Sequence, residues 1–369
     1  MSNILIFGMP KDYHIMAVQW GIERLGGKAY VWMPSDLPDY SSLSLSLGDG
    51  AARPRVEVEF GGKRTDLTDF DVAWNRRRGK PIAPRHASPH DVLPIETECL
   101  AHVSNALALI SRYVPTVNDP AAQAIADLKA VQLLVAAQLG MIVPKTIISN
   151  SFDRISEFRC ASGRTVFKSY RPHRWVLKDH KVAQVTCDMP AMAEVDRDAI
   201  ELCPIIVQER LDRAFEVRLI VFGENYFPVR IVGDVDDGDI DSRFEMSKRT
   251  QFESVVLPDC IRSKCSAYMQ RFSIEFGAFD FIVTKDGSWV FLECNEAGQF
   301  LFLEHVLPEL RLLERFCGWL LDRGQASPRP AVALDLVQFD DSRAIGEIAR
   351  KQNAHKNADY NAVFVNEAG

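Results

Sequence analysis

Residues 290–300 read VFLECNEAGQF. The stretch opens as a buried strand, with Val290, Phe291, Leu292 and Cys294. It then sets Glu293 and Asn295 two residues apart, where such a strand should be burying carbon. Just upstream, AFDFIVT and SWVFLEC flank Lys285, Asp286 and Gly287, and Asp-Gly between apolar runs is a strong hairpin signal. A two-residue turn at Asp286-Gly287 makes Lys285 face Ser288, and counting back along both strands brings Asp280 opposite Glu293. Directly opposed residues share a face, so the pairing is a like-charge clash unless something compensates it. Asn295 leaves the strand on the face of Glu293. An acid pair with an amide oxygen is a donor set for a hard cation such as Mg²⁺, which makes Asp280, Glu293 and Asn295 the expected metal ligands. The alternative is a carboxyl that is protonated or paired with arginine. Cys294, pointing to the other face, is expected in the core.

The chain around this hairpin has 369 residues, 47% hydrophobic and 25% charged, enough for two or three domains with ample cores. A net charge of −7 argues against a dedicated nucleic-acid or membrane-surface protein. The eight cysteines are scattered with no CxxC pair, as expected of free thiols in a reducing cytoplasm. The apolar start meets Pro10 and Lys11 too soon for a signal peptide, and no window suits a membrane span.

The pattern NILIF, then Ile15, Val18, Ile22 and Leu25, then Gly26-Gly27 and AYVWM predicts a strand–helix–strand opening. Residues 35–50 are expected as a loop, Gly61-Gly62 as a hairpin turn, and 71–74 as a strand ending in WNRRRGKP. A helix is predicted over 91–113. Asn118 or Asp119 caps the next helical segment, with Pro120 at its first position and Gly140 at its end, which puts the first boundary near 118. The expected domains are 1–118, α/β; 119–204, central, with a hairpin or lid at 171–190; and 205–324, β-rich, with a helix over 258–276. A tail of unknown role follows at 325–369.

Upstream residues support an anionic ligand. Lys168 lies in the apolar strand TVFKSY, where an ammonium calls for a phosphate or a carboxylate partner. Gln208 and Glu209 end the strand VQERL, Glu216 and Arg218 share a face of EVRLIVFG, and Arg230 leaves the next strand. Two metal-binding acids, a strand lysine and two inward arginines form a set suited to a polyphosphate.

The order of these motifs resembles the ATP-grasp superfamily: Lys129 in ADLKAVQLLVAAQLG, VPKTIIS, Lys168 in TVFKSY, QERLDRAFEVRLIVFG, GAFDFIV and FLECNEAGQF. It is most similar to the microviridin-type (graspetide) peptide macrocyclases, through Asp12 and His14, Trp74 with Arg76 and Arg77, Pro81, Thr186, and Asp241 with Arg243. The resemblance covers about residues 1–323. It implies an α/β (α+β) chain with an ATP-grasp fold behind an N-terminal Rossmann-like pre-ATP-grasp domain. Lys129 and Lys168 would then contact the nucleotide and its phosphates, with Gln208, Glu209 and Leu211 at the adenine and Glu216 at the ribose, while Arg218 and Arg230, the candidate catalytic residues, would face the phosphates and the acyl phosphate. Asp241 and Arg243 would bind substrate. The sequence departs from the family at Glu296, where proline is usual, and in a lid without glycine, which leaves phosphate contacts to Arg171, Arg174 or Lys178.

The chemistry implied is activation of a carboxylate by the γ-phosphoryl of ATP, with Mg²⁺, then attack by an amine or hydroxyl. Arg76 and Arg77 are candidates for a substrate carboxylate, since arginine grips carboxylates bidentately. The expected activity is macrolactone or macrolactam formation in an acidic ribosomal precursor peptide with Ser, Thr or Lys acceptors, by a cytoplasmic homodimer. A ligase adding a free amino acid or small amine, and a nucleotide-binding regulatory protein without turnover, are the other readings. His14 and His173 are left without a catalytic role.

Overall fold

The computed structural model describes residues 2–48, 53–170, 174–177, 180–183, 186–233, 250–324 and 332–355. The chain opens β1 (Asn3–Phe7), α1 (Tyr13–Arg24), β2 (Lys28–Trp32), the strand–helix–strand unit expected from its apolar periodicity. Asp12 caps α1 by accepting from the N–H groups of His14 and Ile15. β3 (Ser41–Ser46), β4 (Arg55–Phe60) and β5 (Lys63–Asp66) form a separate antiparallel sheet. The expectation of a plain loop over 35–50 is therefore corrected. SSLSLS alternates with the period of a strand, and Leu43 is buried against Val56 and Val58. β6 (Val72–Asn75), α2 (Val92–Tyr113) and β7 (Thr116–Val117) complete a parallel sheet in the order β2-β1-β6-β7.

The segment after Asn118 breaks into α3 (Pro120–Ala126) and α4 (Lys129–Gln138), where one helix was expected. The break puts Lys129 at the first position of α4. Then come β8 (Thr146–Ser149), α5 (Phe152–Ser162), β9 (Thr165–Lys168), the β10 (Arg174–Leu177) and β11 (His180–Ala183) hairpin, β12 (Cys187–Asp188), α6 (Arg197–Leu202) and β13 (Ile205–Glu209). The antiparallel sheet β12-β9-β13-β8 packs one face on α5 and α6 through Ile155, Ile200, Phe167 and Val207.

β14 (Arg213–Phe222), β15 (Asn225–Val232), β16 (Gln251–Ser254), α7 (Asp259–Phe272), β17 (Phe276–Thr284) and β18 (Trp289–Asn295) form the largest sheet, ordered β16-β15-β14-β17-β18. Its inner face meets α7 through Val217, Leu219, Phe279, Phe281, Phe291, Cys294 and Tyr268. α7 stops at Ser273 in the left-handed region, short of the expected Gly277. Gly277 instead lies in β17, where a Cβ would come within 2.8 Å of the Cys294 sulfur. Part of the outer face, with Ile220, Phe222 and Ala278, packs against the N-terminal sheet, α8 (Phe302–Val306) and α9 (Leu312–Gly324). The tail supplies α10 (Leu336–Asp341) and α11 (Ala344–Gln352), which bury Leu334, Leu336, Phe339 and Ile348 in the same core. No helix of the described residues is long and apolar enough to cross a membrane.

Candidate active site

Asp280 lies directly opposite Glu293, as the hairpin count required, but two departures cancel to bring this about. The turn holds three residues, Lys285, Asp286 and Gly287, because Thr284 pairs with Ser288 and Gly287 adopts φ +83°. That alone would rotate Glu293 away. A bulge at Leu292, between the Phe281–Phe291 and Asp280–Glu293 pairs, adds the residue that restores the facing. Phe291 and Cys294 consequently both face the α7 core, and the two acids face the opposite side. Burial holds the Cys294 thiol far above its ordinary pKa, so it remains the inert core group expected.

Both acids are compensated by cations. Lys129 Nζ lies 2.8 Å from Glu293, and Arg218 Nη1 donates to both Asp280 oxygens at 2.7 and 2.8 Å. Burial would lower the Lys129 pKa, but the Glu293 carboxylate outweighs it and raises it. Gln132, fully buried, holds α4 on the exposed edge of β18: its Nε2 donates to the Cys294 carbonyl at 2.8 Å and its Oε1 accepts from the Cys294 N–H at 3.1 Å. Sequence reasoning passed over Gln132, although a lone amide inside the apolar run AVQLLVAA was a signal. Asn118 ties together the start of β17 and the end of β18. It accepts from Phe276 N and donates to the carbonyls of Phe276 and Glu296.

The turn after β18 is gripped from both sides. Asn295 Oδ1 accepts from Ala297 N at 3.0 Å, and Arg218 Nη2 donates to the Gln299 carbonyl at 3.0 Å. A Cβ on Gly298 would lie 2.9 Å from Arg218 Nη2 and 2.6 Å from Ala278 Cβ, so only glycine fits there. From the N-terminal sheet, Arg76 donates to the Ala297 and Gly298 carbonyls and Arg77 Nε to Ala297 at 3.3 Å. His14 Nε2 accepts from Phe300 N at 3.0 Å and Leu301 N at 3.2 Å, which requires the neutral ring. Burial, then Arg76, keeps the His14 pKa well below its ordinary value. Arg76 is 2% exposed, and burial lowers its pKa to about 9. Arg76 is thus placed against the turn rather than at the surface: its Nη1 donates there, Nε and Nη2 are buried without a hydrogen-bond partner, and Arg77 is only half-buried. Glu296, in the place of the usual proline, lies buried with its carboxyl pushed up to about 7 by desolvation.

The second sheet carries other expected residues. Lys168 pairs with Ile206, and Gln208 with Val166, which puts all four on the face away from α5 and α6. Gln208 donates to Thr146 Oγ1 at 3.0 Å, and Glu209 accepts from Lys145 N at 2.9 Å. Leu211 lies in the link to β14, and Glu216 pairs with Arg213. Arg230 is a correction. It opposes Val217, so it leaves the sheet on the face away from Arg218, stacked 4.4 Å over the Phe215 ring and 3.8 Å from Glu253. Asp241 and Arg243 lie outside the described residues, as do Arg171, His173, Lys178 and the Arg174 side chain.

The donor set at the acid pair is all oxygen, two carboxylates and one carboxamide, and so fits a hard divalent cation. Among the described residues no three His, Cys, Asp or Glu side chains form a metal cluster. Two antiparallel sheets joined at 210–212, one bearing Lys168 and Gln208 and the other the acid pair, decide the fold when set beside solved structures. The macrocyclase MdnC of Microcystis aeruginosa, bound with precursor peptide MdnA, superposes at TM-score 0.74 and 24% identity, over 87% of this chain and 99% of that one. The fold is that of the ATP-grasp ligases. A RiPP-associated ATP-grasp ligase of Chryseobacterium gregarium, in complex with ADP and a leader and core peptide, gives 0.75 and 21%, over 89% and 98%. The ATP-grasp ligase PsnB, complexed with minimal precursor, Mg and ADP, gives 0.66 and 20%, over 87% and 97%. No protein-family model and no curated protein matches the chain. The ATP-grasp fold here thus includes the N-terminal α/β region, and each match leaves part of this chain uncovered.

Proposed function

We propose that this protein is an ATP-dependent ligase that crosslinks an acidic ribosomal precursor peptide, joining Asp or Glu side chains to Ser, Thr or Lys side chains. The observation that supports it best is the Asp280–Glu293 pair with Asn295, held in register with Arg218 and Lys129 on the outer face of an ATP-grasp sheet. ATP with Mg²⁺ supplies the γ-phosphoryl that converts the peptide carboxylate to an acyl phosphate, from which phosphate departs as the hydroxyl or amine attacks, with loss of one water per link.

Within this reading each residue has a definite task. Asp280, Glu293 and Asn295 hold the cation. Lys129 and Arg218, already paired with the acids, keep two carboxylates on one face and turn their positive charge toward anionic substrate. Lys168 serves the phosphates from the other sheet, Gln208, Glu209 and Leu211 line the base, and Glu216 meets the ribose. Arg77, Asp241 and Arg243 attend the peptide, and Arg76 with His14 position the turn after β18. Arg230 is left with a structural task on the far face. The enzyme is taken to work as a homodimer in the cytoplasm, where eight scattered cysteines with no CxxC pair and an ATP supply are in keeping with it.

The test is incubation with Mg-ATP and an acidic precursor peptide, followed by mass spectrometry. Loss of one water per link, with ADP released, is the expected outcome; gain of an amino-acid residue, or no ADP with any peptide, defeats the reading. Glu293→Gln should abolish ADP release, and full activity in that variant rules out the metal assignment.

A further inference from the structure

The described part of the tail ends on loops that lead into the candidate active site. Gln352, the last residue of α11, is 4% exposed, and its Oε1 accepts from Lys11 N at 2.5 Å. Lys11 stands at φ +57°, in the left-handed region, which a lysine keeps only when its surroundings hold it there. Three residues on, His355 Nδ1 lies 2.5 Å from Oδ2 of the buried Asp36, with its ring stacked on Phe60.

Both loops border the segment that carries Arg76. Asp12, next to Lys11, caps α1 through Oδ1, and its Oδ2 lies 3.8 Å from Arg76 Nε. Ser35, next to Asp36, lies so close to Gly79 that a Cβ there would come within 2.7 Å of Ser35 Cβ and 3.7 Å of Met9 Cγ. Arg76 Nη1 donates to the Ala297 and Gly298 carbonyls, and Ala297 N donates to Asn295 Oδ1, the oxygen expected on the cation. α1 adds a second link, since His14 accepts from Phe300 N and Leu301 N.

We propose that Gln352 and His355 are positioning residues for the candidate active site: by holding loops 9–12 and 34–36 they fix Arg76, and through it the turn that orients the Asn295 carboxamide. This rests on the ligase reading of the acid pair. Both residues lie beyond 1–323, the part of the chain that resembles the macrocyclases. Contacts behind a metal ligand set its orientation, and their loss weakens metal binding even when every ligand remains. Each link from Gln352 to Asn295 is a hydrogen bond, an ion pair or a single peptide step, so a shift at Lys11 reaches the turn through closely packed contacts. The tail thereby acts on how the cation is held, and the nucleotide base and the peptide are recognised without it.

Hydrogen exchange and turnover on the full chain test it. Gln352→Met keeps the bulk and removes the acceptor, Gln352→Glu keeps the acceptor, and Val337→Ser changes an exposed residue of α10. Without ATP or Mg²⁺, Gln352→Met should exchange about 5-fold faster at Ala297, Phe300 and Leu301 as well as at Lys11, while the other two variants match wild type. With Mg-ATP and precursor, well below the melting temperature, the Mg²⁺ concentration at half-maximal ADP release should rise about 5-fold in Gln352→Met alone. Faster exchange at 297–301 with no ADP released by wild type supports the positioning role and sinks only the ligase reading. Three results overturn the proposal: faster exchange confined to Lys11 and the tail, an unmoved Mg²⁺ requirement in an active enzyme, or equal losses in Gln352→Met and Gln352→Glu. Should Gln352→Met fail to fold, His355→Phe keeps the ring on Phe60 and drops the bond to Asp36. Faster exchange at 297–301 in that variant supports the proposal, and unchanged exchange there overturns it.

Discussion

Lys129 and Glu293 show how much a single contact can settle at the residue scale. Their side chains are 19% and 17% exposed and 2.8 Å apart. Lys129→Met leaves Glu293 facing Asp280 with its neutralising partner gone. The expected cost is about 2 kcal/mol, below the ~3–5 kcal/mol of a fully buried pair because water still reaches both groups. Mg²⁺ should recover part of that loss in thermal unfolding, since a bound dication takes over the missing charge; no recovery counts against the cation site. His14 gives a second prediction. Its folded pKa is depressed below the ordinary 6.5, so its contribution is fully present above pH 6.5 and is lost as pH falls below it, where the unfolded ring takes up a proton and the folded ring does not. His14→Leu leaves the Phe300 and Leu301 N–H groups buried without an acceptor, at about 2–4 kcal/mol. Urea titrations of this variant between pH 5 and pH 8 should therefore show a lower but flatter stability profile than wild type.

At the scale of elements, the β17–β18 hairpin shows that a correct pairing can rest on compensating irregularities. The apolar alternation of AFDFIVT and the Asp-Gly signal predict a hairpin, and nothing in that alternation distinguishes a two-residue turn from a three-residue turn with a bulge. Packing decides, because the bulge at Leu292 lets Phe291 and Cys294 both reach the α7 core while Glu293 stays opposite Asp280. β18 is also an edge strand, and edges need their N–H and C=O groups satisfied. Gln132 serves that end, which ties the helix carrying Lys129 to the strand carrying Glu293. Gln132→Leu is expected to lose about 2–4 kcal/mol and to raise hydrogen-exchange rates at Cys294 specifically, with ADP release falling because Lys129 is no longer held in place. Protection at Cys294 equal to wild type defeats that account.

Across the whole molecule, the tail packs on α1 and α8 and reaches back to the N-terminal region. Phe339 packs beside Trp20 and Tyr13, Tyr13 donates to Asp340 at 2.7 Å, and Glu304 accepts from Leu336 N at 2.9 Å. His355, at its end, stacks on Phe60 and bonds the buried Asp36. Removal of 332–369 uncovers Leu334, Leu336, Phe339 and Ile348, at about 3–6 kcal/mol once the ordering entropy of the tail is set against the burial. A lowered melting temperature with a red shift in Trp20 fluorescence is the expected signature, and an unchanged melting temperature refutes it. The α/β opening, the α3 cap at Asn118 or Asp119, the β17–β18 hairpin and the acid pair were legible in the amino-acid order, because period, capping and turn chemistry are local. The strand at 41–46 was equally local and was obscured only by its serine content. Other features needed the fold: Arg76 committed to the turn carbonyls, Arg230 on the far face, Gln132 on the strand edge, the tail on α1. Each depends on which residues from distant segments meet, and register or burial of that kind has no signature in any one window. The sequence by itself thus determined which charged and amide groups interrupt the apolar strands. Only the tertiary structure decided which of them share a face, since one residue more or less in a turn or bulge turns a side chain from the site into the core.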